Sequence, residues 1–318
     1  INASISYTDP TGATHNSDTG EYFVPLVGAT GNIGDFKAGV ALVTPNMFGS
    51  DFKQELDMCS KLGLANVTPA VAYKLTDNWS IGASVSIGYG MVDMTQPYIV
   101  SGVSFGALDT EARGFGYSYQ VGALYEPTGW LSLGSSYQSK TRVELDGTTT
   151  LGTAAGEMED DFSSVFYFPG RFHLGVGVKP MEKLLLAVDA TYMDYSSTDK
   201  ADLNYDQWAD ATMALDWESH WVYGIGAEYS ASNNLKFRTG LNYQEQVISD
   251  STLNPVTPDT NGGLSASLGF GWKKDKLSID AAYAHAWGME RDVPLTNAGA
   301  GQYSASVDVV SVAVVYHW

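Results

Sequence analysis

The sequence predicts an all-β protein: a single antiparallel β-barrel of fourteen strands that spans a membrane. Three observations predict this fold. Apolar residues alternate with small or polar residues at a period of two along most of the chain. Short turns alternate with long loops, and aromatic residues cluster beside the short turns. One barrel domain is expected to cover residues 1–318.

The alternation is clearest after residue 183. One face carries Leu184, Leu186, Val188, Ala190 and Tyr192, and the other carries Leu185, Ala187, Asp189, Thr191 and Met193. The segment from residue 277 repeats the pattern, with Leu277, Ile279, Ala281 and Tyr283 set against Ser278, Asp280, Ala282 and Ala284. Each strand therefore has one apolar face and one face of small or polar residues, as a barrel with an oily exterior requires.

Fourteen segments show this alternation and are bounded by turn-forming residues such as those of TDN, EPTG, SNN and KKDK. In chain order the predicted strands are 1–9, 21–30, 35–45, 65–75, 79–95, 112–127, 130–147, 163–179, 184–197, 217–231, 234–248, 261–273, 276–290 and 303–318. Their number is even, as in bacterial barrels made from one chain.

The connections between these strands alternate in length. The short ones are 31–34, 76–78, 128–129, 180–183, 232–233 and 274–275. The long ones are 10–20, 46–64, 96–111, 148–162, 198–216, 249–260 and 291–302. Short periplasmic turns on one rim and long extracellular loops on the other are typical of barrels in the outer membrane of Gram-negative bacteria.

Aromatic residues mark the boundary of the predicted membrane band. They lie where strands meet short turns, at Tyr73, Trp79, Tyr125, Trp130, Tyr229 and Trp272. Rings with one apolar and one polar end favour the interface between lipid and water. The last strand places Val310, Val312, Val314, Tyr316 and Trp318 on one face, and it resembles the C-terminal signal of outer-membrane barrels.

Composition excludes several other classes. The net charge of -19 argues against a nucleic-acid partner, because phosphate binding needs a positive surface. The single cysteine, Cys59, cannot form an internal disulfide. No apolar run reaches the length of a transmembrane helix. A soluble sandwich or propeller is the alternative fold, but its outward faces should be rich in Lys and Glu, whereas here the less apolar faces are mostly Gly, Ser and Ala.

Four segments resemble the transporters of long-chain fatty acids and hydrocarbons in the outer membrane, the FadL/TodX (OMPP1) type. They are GFGYSYQVGALYEPTGWLSLGSSYQSKTRVELDG (114–147), TPAVAYKLTDNWSIGASVS (68–86), GVGVKPMEKLLLAVDATYMDYSS (175–197) and LSIDAAYAHAW (277–287). The resemblance implies a fourteen-stranded barrel that captures hydrophobic molecules at its extracellular loops and releases them sideways through a kink in the third strand. That family also has an N-terminal plug with an Asn-Pro-Ala sequence, whereas this sequence begins at the strand INASISYTD, so the plug is either not included or absent.

The resemblance places a lateral opening in DFKAGVALVTPNMFGSDF (35–52). Pro45 has no amide hydrogen, so pairing with the neighbouring strand must be interrupted there. Met47 and Phe48 would line the opening, and Gly39 and Gly49 would leave room beside it. Alternatively, Pro45 only ends the strand at the loop rim.

Two long loops are unusually apolar and are the candidate ligand-binding surface. The loop 96–111 offers Tyr98, Ile99, Val103, Phe105 and Leu108, and the next loop offers Phe162 and Phe166. Contiguous apolar surface of this kind suits capture of a hydrophobic ligand. An equally simple explanation is that both loops fold over the barrel mouth and pack on each other.

Alternation directs several charged side chains into the lumen, among them Arg171, Asp189, Arg238 and Asp280. They would pair across the lumen and either fill it or contact cargo. The acidic residues of the long loops form a solvated rim, or bridge calcium ions to the phosphates of neighbouring lipopolysaccharide.

No enzymatic activity, cofactor or resident metal is expected. The five histidines lack metal-ligand spacing, and neither a G-x-S-x-G element nor a phosphate-binding glycine loop occurs. The favoured function is uptake of a hydrophobic small molecule or lipid by a protein surrounded by outer-membrane lipids and lipopolysaccharide. The alternatives are a structural barrel that binds a protein partner through its extracellular loops, and a general polar porin.

Overall fold

The computed structural model describes residues 1–18, 22–100, 103–257, 262–288 and 290–318, apart from the side chains of Val100 and Val103. Within these ranges the chain forms twenty β-strands and one helix, α1 (Lys53–Leu56). The strands are β1 (Asn2–Thr8), β2 (Thr14–Asn16), β3 (Val27–Ile33), β4 (Phe36–Phe52), β5 (Met58–Lys74), β6 (Trp79–Val100), β7 (Val103–Thr128), β8 (Leu131–Gln138), β9 (Thr141–Thr153), β10 (Gly156–Phe168), β11 (Gly170–Met181), β12 (Leu184–Asp194), β13 (Lys200–Tyr205), β14 (Ala211–Ala214), β15 (His220–Ser230), β16 (Leu235–Gln244), β17 (Gly263–Lys274), β18 (Leu277–Gly288), β19 (Arg291–Val293) and β20 (Gly301–Tyr316).

All strands belong to one antiparallel sheet. Its main path joins neighbours in the order β3, β4, β5, β6, β7, β8, β11, β12, β15, β16, β17, β18, β20 and β1. The other six strands extend the sheet at the loop end, where β9 pairs with β7 and β10, and β10 pairs with β13. This arrangement confirms the predicted all-β fold.

The strand count differs from the predicted fourteen because regions assigned to loops also form strands. The predicted loop 96–111 is the end of the β6–β7 hairpin, and β7 there also pairs with β9. Most of the predicted loop 148–162 belongs to the β9–β10 hairpin. These pairings satisfy backbone groups far from the short turns, so the strands extend well beyond the apolar band.

The sheet is not closed within the described residues, which corrects the expectation of a fully paired cylinder. β1 pairs with β20 only from Asn2↔Asp308 to Thr8↔Gln302, although β20 continues to Tyr316. No strand pairing joins β1 to β3 in this part of the chain. Instead, Ile1 and Tyr22 exchange two backbone hydrogen bonds, with N···O distances of 2.9 and 2.8 Å.

The two faces of the sheet differ as the alternation predicts. Val188 and Ile225 are directly opposed on β12 and β15 and are 56% and 58% exposed. On β20, Val310, Val312 and Val314 are exposed as well. The inner face encloses a cavity of about 850 Å³ that is lined mainly by Gly, Ala and Ser. An outer wall of exposed aliphatic side chains is the surface that acyl chains solvate.

The buried core lies at the loop end. One cluster contains Leu64, Val143, Leu145, Phe162, Phe166 and Phe168, and a second contains Tyr195, Val247, Leu253, Val293 and Tyr303. The wide lumen below them leaves few side chains to bury there. Among the described residues, no helix has the length and apolar character needed to cross a membrane.

Candidate functional site: an apolar cavity beside an interrupted strand

A β-bulge in β4 sets the geometry of the site. Val43 pairs with Asn66 and Asn46 pairs with Leu64, so Thr44 and Pro45 together oppose the single residue Ala65. The extra residue reverses the alternation along β4. Lys37 and Gly39 line the lumen below the bulge, whereas Phe48 lines a second cavity above it.

Strand pairing also ends early on the other side of β4. Its pairing with β3 begins at Ile33↔Phe36 and ends at Val27↔Leu42. β4 continues for ten further residues, to Phe52. The next described backbone bond on that side joins Asp18 N to Asp51 O at 2.6 Å. In the described part of the chain, residues 43–50 therefore have no strand partner there, and we call this unpaired stretch of β4 the β4 window.

A partly open, mainly apolar cavity of about 110 Å³ lies above the bulge. Its lining includes Phe48, Leu62, Val92, Met94, Leu145, Phe162, Phe166, Ala201, Leu203, Met213, Leu215, Trp217, Val247, Ile248 and Val256. A buried cavity of about 150 Å³ with aliphatic and aromatic walls stays dry and binds benzene. The cavity therefore has the size and chemistry to hold a small hydrocarbon or a segment of a longer chain.

Trp217 is the centre of the aromatic wall. Its ring centroid lies 5.7 Å from those of Phe48 and Phe166 and 5.6 Å from that of Tyr195. Phe166 also meets Phe168 edge to face at 5.1 Å. Such pairs are worth about 0.5–1.5 kcal/mol beyond their buried area. The wall that a ligand would contact is thus held in place by its own packing.

Some polar groups of the lining contact neighbouring side chains, whereas the indole Nε1 of Trp217 is buried without a hydrogen-bond partner in the described residues. Thr110 Oγ1 and Thr149 Oγ1 are 2.9 Å apart. The Asp93 carboxylate is 2.6 Å from Arg113 Nη1. Tyr205 packs on Phe162 beside this wall, and burial raises the pKa of its phenol, which keeps it neutral. Among the described residues, no group of His, Cys, Asp or Glu could hold a metal ion.

The structure separates the predicted ligand-binding residues. Phe162 and Phe166 are buried and line the cavity. Tyr98, Ile99 and Phe105 are exposed at the end of the β6–β7 hairpin, and Leu108 pairs with Leu151 lower on that hairpin. None of these four lines the cavity, and the side chain of Val103 lies outside the described residues.

The residues predicted to form a lateral opening also separate. Pro45 lies in the bulge, Met47 is 42% exposed, and Phe48 and Gly49 line the cavity. Gly39 is lower, in the wall of the main lumen. Sequence reasoning missed Trp217 and the segment around Val247, because nothing local indicates that these loops fold back over the bulge.

Of the charged residues predicted to lie in the lumen, Arg238 and Asp280 belong to one network of ion pairs. Asp189 and Arg171 lie apart from that network. Arg238 contacts Glu228 at 2.7 Å and also pairs with Asp280, while Lys236 contacts Glu228 at 2.6 Å. Asp189 lines the lumen, and no ion pair to it is found within the described residues. The Arg171 guanidinium instead lies near the β4 bulge, where Nη2 donates to Asn46 Oδ1 at 2.5 Å.

Comparison with protein families gives one match over nearly the whole chain. The family model for outer membrane protein transport proteins (OMPP1/FadL/TodX) matches residues 2–317. An outer membrane protein of Neisseria meningitidis serogroup B is 21% identical, over 66% of this chain. The match covers 53% of that relative, so the chain spans about half of its length.

Solved structures share the fold. A FadL homologue of Pseudomonas aeruginosa superposes with a TM-score of 0.86 and 20% identity, over 99% of this chain and 88% of the other. The toluene transporter TodX of P. putida gives a TM-score of 0.81 and 19% identity, again over 99% of this chain and 88% of the other. At these identities the likeness shows a common fold alone.

Proposed function

Because the chain belongs to the OMPP1/FadL/TodX family of outer membrane transport proteins, we propose that it takes up hydrophobic small molecules, captures them at its extracellular loops and releases them sideways into the membrane. It is a β-barrel protein of the Gram-negative outer membrane. The observation that carries the proposal is the mainly apolar cavity at the loop end, directly above the bulge in β4.

The proposed architecture is one fourteen-stranded transmembrane barrel that covers residues 1–318. The main path of antiparallel pairing runs through fourteen strands, from β3 to β1, and supports this count. The exposed valines of β20 belong to the wall that would face the lipid. The remaining strands are extracellular extensions of the sheet under this proposal.

The proposed release route is the β4 window. Pro45 cannot donate to a ladder, and residues 43–50 have no described strand partner on the β3 side. A molecule that passes Phe48 would reach this gap without crossing the wide lumen. Met47 and Gly49 lie on the same stretch of β4, and Gly39 lies below it.

The proposed cargo is a long-chain fatty acid or a hydrocarbon. The cavity is large enough for a single aromatic ring or part of an acyl chain. Similar solved structures include toluene transporters and a monoaromatic hydrocarbon channel, which supports this class of cargo. Phe162 and Phe166 are the proposed contacts inside the cavity, and Tyr98, Ile99, Val103, Phe105 and Leu108 are proposed to attract cargo at the exposed hairpin.

Uptake of a labelled long-chain fatty acid and of a labelled aromatic hydrocarbon, by cells with and without the protein, tests this function. We expect Phe166→Ala to weaken binding of the same probes to the purified protein about tenfold, because it removes most of one aromatic wall. The matched control is Phe237→Ala, since Phe237 is 51% exposed on the outer wall. Equal uptake with and without the protein would defeat the transport function.

The alternative is a structural barrel that binds a protein partner and transports nothing. The exposed apolar residues Ile99 and Phe105 favour it, since they lie at the end of a long hairpin. It predicts no binding of either hydrophobic probe and no effect of Phe166→Ala. No catalytic role is proposed, because the cavity lining offers no nucleophile with an adjacent general base.

A further inference from the structure

Arg171 connects two distant parts of the wall. It lies on β11, and four strands, β5 to β8, separate β11 from β4 along the sheet. Its Nη2 donates to Asn46 Oδ1 at 2.5 Å and makes a longer contact of 3.4 Å to Pro45 O. The side chain therefore reaches across the interior to the bulge that borders the β4 window.

The bulge is weakly held by the sheet itself. Pro45 contributes no amide hydrogen, and two residues of β4 share one position opposite β5. On the β3 side, the ladder has already ended at Leu42. A hydrogen bond from a charged group is stronger than one between neutral groups, which matters at a bulge where few other contacts remain.

No ion pair balances the positive charge of the Arg171 guanidinium in the described part of the chain. Within the described residues, no carboxylate lies within ion-pair distance, and its Nε has no hydrogen-bond partner. Asn66, which pairs with Val43 just below the bulge, also has a buried Oδ1 without a partner. A partly buried cation without a carboxylate partner is costly to a fold, so stability alone does not explain the position of Arg171 beside the bulge.

We propose that Arg171 is a positioning residue that fixes the β4 bulge from inside the barrel and so sets the width of the β4 window. Asn46 is its partner, and Phe48, two residues further along β4, transmits the position of the bulge to the cavity wall. The effect on release rests on the proposed function, whereas the effect on the bulge does not.

Hydrogen exchange of the purified protein in lipid nanodiscs tests the structural part. Arg171→Met should speed exchange of the amides at residues 43–49 about tenfold, the factor that corresponds to a loss of about 1.4 kcal/mol. Asn46→Ala should have a similar effect, and the double variant should add little to either single one. Asn46→Asp should slow exchange, because a carboxylate pairs more strongly with the guanidinium.

Arg142→Met is the matched control, because Arg142 pairs with Glu144 of its own strand β9 and does not line the cavity. It should leave exchange at residues 43–49 unchanged. Unchanged exchange in Arg171→Met, strictly additive effects in the double variant, or faster exchange in Asn46→Asp would each overturn the proposal.

Release is measured separately, as the rate at which a preloaded fluorescent fatty acid leaves the protein for lipid vesicles. Arg171→Met should raise this rate severalfold and Asn46→Asp should lower it, with equilibrium binding by the cavity much less changed. If exchange responds as expected but release does not, the positioning role stands and lateral release fails. If the wild-type protein does not bind the probe, the proposed function fails and the exchange result alone decides the role of Arg171.

Discussion

Gly271 shows how one missing side chain organises the interior. A Cβ at this position of β17 would lie 2.5 Å from Asp280 Oδ1 and 3.0 Å from Arg238 Nη1. The glycine therefore lets Arg238 of β16 reach across β17 to Asp280 of β18. Alternation predicted that both charges point inward, but their pairing depends on a strand that lies between them and could not be predicted locally.

Asp9 lies in the turn after β1, and local hydrogen bonds shift the pKa of its carboxylate. Its carboxylate accepts hydrogen bonds from Thr11 Oγ1 at 2.7 Å, Thr11 N at 2.8 Å and Ala13 N at 3.1 Å. These bonds, chiefly that from the Thr11 hydroxyl, lower the pKa of Asp9 from 3.8 to about 2. The stabilisation of the turn is therefore complete above pH 3.8 and is lost as the pH falls through about 2.

We expect the amide resonances of Thr11 and Ala13 to follow a titration with a midpoint near pH 2, measured by NMR in detergent micelles. Asp9→Asn is the control, since its amide oxygen accepts the same bonds but does not titrate. A midpoint at the ordinary value of 3.8 would contradict the described turn.

The strands show what local patterning determines and what it does not. Alternation located β12 and β18 within a few residues of their observed bounds, because each has one exposed and one inward face. It misjudged 96–111 as a loop, since residues 96–100 and 103–111 belong to β6 and β7, which pair with each other, and β7 also pairs with β9. The missing amide hydrogen of Pro45 predicted a break in pairing there, but the alternation did not predict the reversal of facing, which follows from the bulge and directs Phe48 into the cavity.

The contact between β7 and β9 gives a test at the level of these elements. A Cβ at Gly114 would lie 1.7 Å from the backbone oxygen of Glu144, so the strands could not keep their present separation. Gly114→Ala should lower the free energy of unfolding by about 2 kcal/mol or more, as overpacked sites do. Denaturant unfolding in micelles measures this loss.

The control for this substitution is Gly129→Ala in the turn between β7 and β8, where an added Cβ meets no atom within 4 Å. It should change the free energy of unfolding by less than about 0.5 kcal/mol. Equal effects of the two substitutions would show that close approach of β7 and β9 is not what Gly114 provides.

The whole molecule holds two cavities, one above the other, which are both lined by the same sheet. The lower lumen of about 850 Å³ has small and charged walls, and the upper cavity of about 110 Å³ has aromatic ones. The β4 bulge lies between them and beside the open stretch of wall. The sequence predicted the barrel and the interrupted strand, whereas the upper cavity depends on Trp217, Val247 and other loop residues that only the folded chain brings together.

Deletion of Pro45 tests the central claim most directly. Removing it restores one residue of β4 for one of β5, and Asn46 and Phe48 keep their inward facing. Pro45→Ala, which retains the bulge, is the control. We predict that uptake of the labelled hydrophobic probe falls to the level of cells without the protein in the deletion variant only, with cavity binding retained. Uptake at the wild-type rate by a deletion variant that still binds the probe would contradict release that depends on the β4 bulge beside the window.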